Sequence, residues 1–189
     1  MNSITPFQRL VRGRRSIRKY FKRPVEREKI LTCLEAARLA PSADNVEPWR
    51  FIVLDDPKVK EAFASEAFAG IYSPTRFAAK APVLIVILAR LDIIANRIGK
   101  QIQGTQYYLI DIGIAGEHIV LQAQELGLGT CWIGWFNAKR ARKFLRIPSK
   151  YKVVALIAMG YYEGRTLKEK RRRALDDIVW FNGFGGKYQ

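Results

Sequence analysis

The chain has few of the residues that enzymes most often use for protein-based catalysis. Among 189 residues there is one histidine, His118, and two cysteines, Cys33 and Cys131. A structural zinc site needs Cys and His at close spacing, and no such set exists. With so few thiols and no reason to pair them, the expected compartment is a reducing cytoplasm. No run of about 18 apolar residues occurs, which argues against a membrane-spanning helix. The opening MNSITPFQRLVRGRRS has no apolar core and no small-residue cleavage site, so it does not read as a secretory signal. The phosphate signatures GxGxxG and GxxxxGK(S/T) are absent, as are a serine nucleophile elbow and a clear pair of carboxylates. Cys131 has no histidine close in sequence to activate it and reads as a small strand residue. His118 falls within an apolar helix and reads as a hydrogen-bonded core residue. If the chain is an enzyme, a bound cofactor must carry the hard step.

Acidic residues are also scarce, with 17 Asp and Glu against 33 Lys and Arg, for a net charge of +16. Such a surface attracts anions: nucleic acid, a membrane face, or a phosphorylated cofactor and substrate. A nucleic-acid surface would interleave aromatics with its basic runs. Here Trp49, Phe51, Trp132 and Phe136 sit among apolar neighbours instead. Hydrophobic residues make up 49% and charged residues 26%, ordinary values for one globular domain over residues 1–189.

The stretch from Tyr107 to Gly134 organises the rest. Leu109, Ile112, Gly116, Ile119, Val120, Ala123 and Leu126 recur mostly at three- or four-residue steps, the spacing of a helix face. Ile110, Ile114, Leu121 and Leu128 add a second stripe, so this helix is apolar nearly all round and should be buried. Gly113, Ala115 and Gly116 leave room for another helix to approach. Gly127 to Gly129 ends the pattern, with glycine in a left-handed cap. Thr130 to Phe136, rich in β-branched and aromatic residues, reads as a strand.

Upstream, Ile4 to Val11 reads as a short helix ending at Gly13, followed by an exposed basic segment from Arg14 to Tyr20. A second helix opens at Pro24, with Ile30, Leu31, Leu34 and Ala37 inward and Arg38 outward. Pro41 to Asn45 breaks it. Strands are expected at Trp49–Leu54, Val83–Ala89 and Val153–Tyr161, the second a continuous apolar run suited to burial on both faces. Helices are expected at Lys58–Phe68 and Ala138–Leu145, with a loop or short helix over Pro74–Lys80. Asp92 to Gly104, polar and basic, is the expected mobile lid. A charge run from Lys168 to Arg173 opens the tail. Strands separated by helices of uneven length point to one layered α+β domain.

Three separated stretches can build one cofactor site. Arg14, Arg15, Ser16 and Arg18 offer charge-assisted donors for a phosphate and a polar ring, or make a solvated basic turn. Pro41, Ser42 and Asn45 offer hydroxyl and amide partners for a polyol or ring edge, or plain turn chemistry. Lys170 and Arg172 complete a phosphate clamp, or belong to a solvated charge run.

Together RRSIRKY, PSADNVEPWRF, the long helix into GLGTCWIGWF and the late KRRRALDDIV resemble the flavin-dependent nitroreductase family, in an order and spacing that cover essentially the whole chain. The resemblance implies an interlocked, FMN-binding homodimer with a central, mainly antiparallel sheet flanked by helices and each flavin at the dimer interface. It puts Arg14, Arg15, Ser16 and Arg18 on the flavin, with Arg18 near the pyrimidine edge. It has Pro41, Ser42 and Asn45 contributed from the other subunit, and Trp132, Ile133 and Gly134 beside the ring near N5. Lys170 and Arg172 match the phosphate-binding pair. The implied reaction is ping-pong: NADH or NADPH gives hydride to the flavin, and a nitroaromatic, quinone or similar small acceptor then takes it. Arg18 would stabilise charge on the reduced ring, and a backbone N–H at Ile133 or Gly134 would fix the geometry. A specialised task on the same fold is the competing reading: flavin modification, dehydrogenation or reductive dehalogenation. Glu47 stands where many relatives carry glutamine, Ala43 replaces a frequent serine or glycine, and Ala174 replaces a common proline. The segment from Phe68 to Pro82 is too short for the inserted helices of larger relatives, and Asp92–Gly104 is expected to supply the missing wall.

Overall fold

The computed structural model describes residues 4–92, 104–164 and 170–186. Val83–Arg90 carries no polar side chain before its last residue, so it can bury both faces, and as strand β2 it does so until Arg90. Around it lie β1 (Trp49–Leu54), β3 (Gly129–Ile133) and β4 (Tyr151–Gly160), in the order β1-β2-β4-β3. Every pairing is antiparallel. Successive strand residues point to opposite faces. Val83, Ile85, Ile87 and Ala89 therefore join the layer of helices α2 (Arg27–Arg38) and α4 (Tyr107–Glu125). Leu84, Val86 and Leu88 face α3 (Pro57–Ala67), the 3-10 turns of Gly70–Lys80 and α5 (Ala138–Phe144). Each enclosed Leu or Ile contributes about 1.5–3 kcal/mol. Helix α1 (Pro6–Gly13) buries no residue and is started by a capping box between Thr5 and Gln8.

The sequence expectations hold for the order of elements and need correction at several edges. Helix α4 ends as expected: Gly127 has φ 74°, Leu128 N donates to Ala123 O at 2.8 Å, and Gly127 N donates to Gln124 O at 3.2 Å. The strand expected over Thr130–Phe136 stops at Ile133, because Asn137 turns to cap α5 by accepting from Arg140 N at 3.0 Å. Leu31 is 57% exposed rather than inward; Ile30, Cys33 and Ala37 are the buried stripe of α2. The space at Gly116 is filled by the Trp132 ring, which would lie 2.1 Å from a Cβ there, rather than by a helix. Leu109 and Ile110, expected to be buried, are exposed within the chain. Of the expected lid, residues 93–103 lie outside the described ones. No described helix is long and apolar enough to cross a membrane.

Candidate functional site

The basic segment after α1 runs along the entry of β3. Ile17 N donates to Thr130 O at 2.8 Å, and Ser16 forms an isolated bridge with Thr130. This approach requires glycine at position 129, where a Cβ would lie 2.6 Å from Ile17 Cγ1. Tyr20 locks the segment by donating its hydroxyl to Ile17 O at 2.5 Å, and burial raises its pKa, keeping the phenol a neutral donor. Segments far apart in sequence, Arg14–Arg18 and Trp132–Gly134, are thus neighbours.

At one end of this seam the cations gather. Arg14 Nε stands 4.0 Å from Glu117 Oε1, and Trp132 Nε1 donates to Glu117 Oε2 at 3.4 Å. Lys170 reaches back from the tail to donate to Val11 O at 2.9 Å. Its pKa is lowered first by desolvation and then by the charges of Arg14, Arg15 and Arg172, with Glu117 opposing. That mutual repulsion means the early and late basic runs share one field, which a bound anion would relieve. Arg15 Nη1 is held by the carbonyls of Arg12 and Arg14. Arg172 is exposed and bonds to Arg171 O.

At the other end Arg18 lies with its guanidinium 5.8 Å from the Phe77 ring centre and donates to Ser16 O at 3.3 Å. Ile133 is buried, whereas Gly134 is past the ladder and exposed, with nothing within 4 Å of the place a Cβ would occupy. Trp135 then turns toward the Gly70–Lys80 segment. Its Nε1 donates to Ile71 O at 3.0 Å, its carbonyl accepts from Thr75 Oγ1 at 2.6 Å, and its ring centre is 5.3 Å from that of Tyr72. Ile71 and Trp135 are 71% and 54% exposed, forming an apolar ledge beside Gly134. The sequence reading missed this ledge and assigned the wall to Asp92–Gly104. It also missed Glu117, whose one signal was an acidic residue inside an apolar helix.

The loop with Pro41, Ser42 and Asn45 sits elsewhere. Ser42 Oγ accepts from Glu47 N at 2.9 Å, and Ala43 N donates to Asp111 Oδ1 at 3.1 Å. Pro41 and Asn45 are exposed. Asp111 precedes Glu117 on α4 by about 9 Å of helix rise, so the loop rests on a different part of that helix from the cation cluster. His118 Nδ1 lies 3.0 Å from Ala36 O, as a hydrogen-bonded, half-buried residue. Burial raises the pKa of Cys131, which keeps its thiol protonated and unreactive. Among the described residues no His, Cys, Asp and Glu group could hold a metal ion. The seam suits an elongated anion instead: cations at one end, and Arg18 with the open backbone of Gly134 at the other.

The sequence model of the Nitroreductase family matches residues 11–161. An NADH dehydrogenase of Thermus thermophilus is 33% identical over 174 residues, covering 78% of this chain and 82% of that protein. Iodotyrosine deiodinase 1 of Rattus norvegicus is 30% identical over 196 residues, covering 92% of this chain and 68% of that protein. The solved structure of an FMN-dependent nitroreductase from Clostridium difficile R20291 superposes with a TM-score of 0.72 at 35% identity, covering 93% of this chain and 98% of the other.

Proposed function

The chain belongs to the nitroreductase family, and on that footing we propose that it is an FMN-dependent NAD(P)H oxidoreductase acting as a homodimer with a flavin site at each end of the interface. The observation that carries the reading is that Lys170 reaches back to Val11 O beside the Arg14–Arg15 segment, while Ser16 pairs that segment with the strand that leads on to Gly134. FMN would supply the two-electron chemistry of a ping-pong reductase, with NADH or NADPH as donor and a nitroaromatic, quinone or similar small molecule as acceptor. Arg14, Arg15, Lys170 and Arg172 hold the phosphate, and Glu117 orients Arg14 and the Trp132 ring. Arg18 and Ser16 serve the polar edge of the ring, where a fixed cation favours negative charge. Trp132 and Ile133 carry the chain to Gly134, whose backbone can approach the ring because it bears no side chain. The ledge of Ile71, Tyr72 and Trp135 excludes water and receives flat apolar substrates. Ser42 and Asn45, with Pro41, reach the flavin held by the second copy.

The deiodinase relative favours a second reading, reductive dehalogenation on the same flavin site. The test is the visible spectrum of the purified protein, followed by anaerobic addition of NADH and NADPH. A flavin spectrum that bleaches with either nucleotide is the expected result, and the faster donor is the physiological class. Bound flavin that bleaches with dithionite but with neither nucleotide moves the assignment to the dehalogenase. Failure to bind added FMN sinks both.

A further inference from the structure

Asp111 is 3% exposed and is one of the buried residues of α4, next in sequence to Ile112 of the core. Its Oδ1 accepts the Ala43 N–H, while its buried Oδ2 has no hydrogen-bond partner among the described residues. Burial raises its pKa and the Ala43 N–H lowers it. An apolar residue would pack at this position without such a cost, since a buried carboxyl with one bond is destabilising. A group so placed calls for an explanation other than packing.

The explanation lies in the loop that it holds. Asp44, Asn45 and Glu47 adopt left-handed φ values of 51°, 52° and 47°, a region that Asp and Asn tolerate and that a glutamate rarely occupies. Such a loop does not keep its shape unaided, and persists only where its surroundings determine it. Two bonds bracket the strained residues: Ala43 N–H to Asp111 on one side, and Glu47 N–H to Ser42 Oγ on the other. We propose that Asp111 is a positioning residue for the flavin site, holding Ala43 and with it the 41–47 loop in the shape that presents Ser42 and Asn45 to the flavin of the second copy. This rests on the function proposed above. The exposed Leu109 and Ile110 lie on the same turn of α4. One rigid helix therefore both faces the second copy and sets the loop that crosses to it.

Asp111→Leu, Asp111→Asn and Ala43→Pro test the assignment, with wild type as reference, by FMN titration, the visible spectrum of bound flavin and the oligomeric state. Asp111→Leu should weaken FMN binding about tenfold, the effect of losing one hydrogen bond to a charged group, and shift the flavin spectrum in an intact dimer. Asp111→Asn should restore affinity, because its amide oxygen still accepts from Ala43. Ala43→Pro, which removes the donor and keeps the carboxyl, should repeat the Leu result. Wild-type affinity and spectrum in a folded Asp111→Leu dimer would overturn the inference, and so would full affinity in Ala43→Pro should the Leu variant not fold. A wild type that binds no FMN is a separate outcome, and removes the functional reading together with the task assigned to the loop.

Discussion

On the side of the sheet covered by α3, the Gly70–Lys80 turns and α5, the large side chains Phe63, Phe68, Leu84 and Leu156 are each under 2% exposed. The α2 and α4 side packs as tightly against the sheet, yet its outer surface carries Leu31 at 57%, Leu39 at 65%, Leu109 at 41% and Ile110 at 52%. Phe7 of α1, at 63%, and the tail residues Leu175, Ile178, Trp180 and Phe184 add to this apolar excess. The α3 and α5 side also exposes apolar residues, but Val59 is flanked by Lys58 and Lys60, Phe144 is 36% exposed, and Ile71 with Trp135 forms the ledge beside Gly134. A large exposed apolar surface marks an interaction site. The α2 and α4 side thus carries the larger uncovered apolar surface, the side that the proposed two-fold homodimer would bury.

The most direct way to break that contrast is to place the same charge on both layers. Ile110→Lys would bury an unpaired ammonium in the proposed interface, at a cost of about 3 kcal/mol or more. That raises the dimer dissociation constant roughly a hundredfold, and bound FMN should be lost with it. Val59→Lys, at 45% exposure on the other layer, should stay within about 0.5 kcal/mol of wild type. Sedimentation of both variants decides the matter, and a flavin-loaded Ile110→Lys dimer would show that the open layer is not the interface.

A smaller effect asks whether the exposed tail belongs to the site. Lys170 is half-buried, bonded to Val11 of α1, and sensitive to Arg14, Arg15 and Arg172. Lys170→Met should lower FMN affinity about tenfold through loss of one charge-assisted contact. Riboflavin, which has no phosphate, should bind as before. Equal losses for both ligands would place Lys170 away from the phosphate.

What the sequence revealed and what it hid differ in physical kind. The run Val83–Ala89, the helix breaks at Pro41 and Gly127, and the layered α+β arrangement were legible because each rests on local propensity or on the period of burial, whereas the antiparallel sheet came only from the family resemblance. The two basic runs were readable as parts of one site with the Pro41–Asn45 loop, and Trp132–Gly134 joined them only through the family resemblance; the structure brings Arg14, Trp132 and Lys170 near one another and leaves the loop elsewhere. Asp111 gave no signal, because its value depends on a backbone N–H from residue 43 that only the tertiary fold delivers. Trp135 was read as strand, since aromatic composition does not reveal that the chain turns at Gly134 to meet Ile71. Leu31 was placed inward by a helical stripe that a neighbouring stripe, Ile30, Cys33 and Ala37, fits better.

The smallest expected effect lies where the α2 and α4 layer is tied to the sheet, at the start of α2 and just past the end of β4. Tyr161 donates its hydroxyl to Glu26 Oε2 at 2.5 Å and accepts from Lys29 Nζ at 2.7 Å. Arg23 donates to Glu26 Oε1 at 2.7 Å and lies 4.1 Å over the Tyr161 ring. The Tyr161 hydroxyl first, then the Glu26 backbone N–H and Arg23, pull the Glu26 pKa from 4.5 down to about 2. A depressed carboxyl stabilises the fold above its unfolded pKa, and that contribution disappears as pH falls through the folded value. The group is exposed, so screening keeps the effect small. Glu26→Gln should therefore lower the thermal midpoint slightly at pH 7, with the gap to wild type narrowing below about pH 4.5 and closing near pH 2. A gap of the same size at pH 2 and pH 7 would mean that packing on Tyr161, rather than the carboxylate, holds α2 to β4.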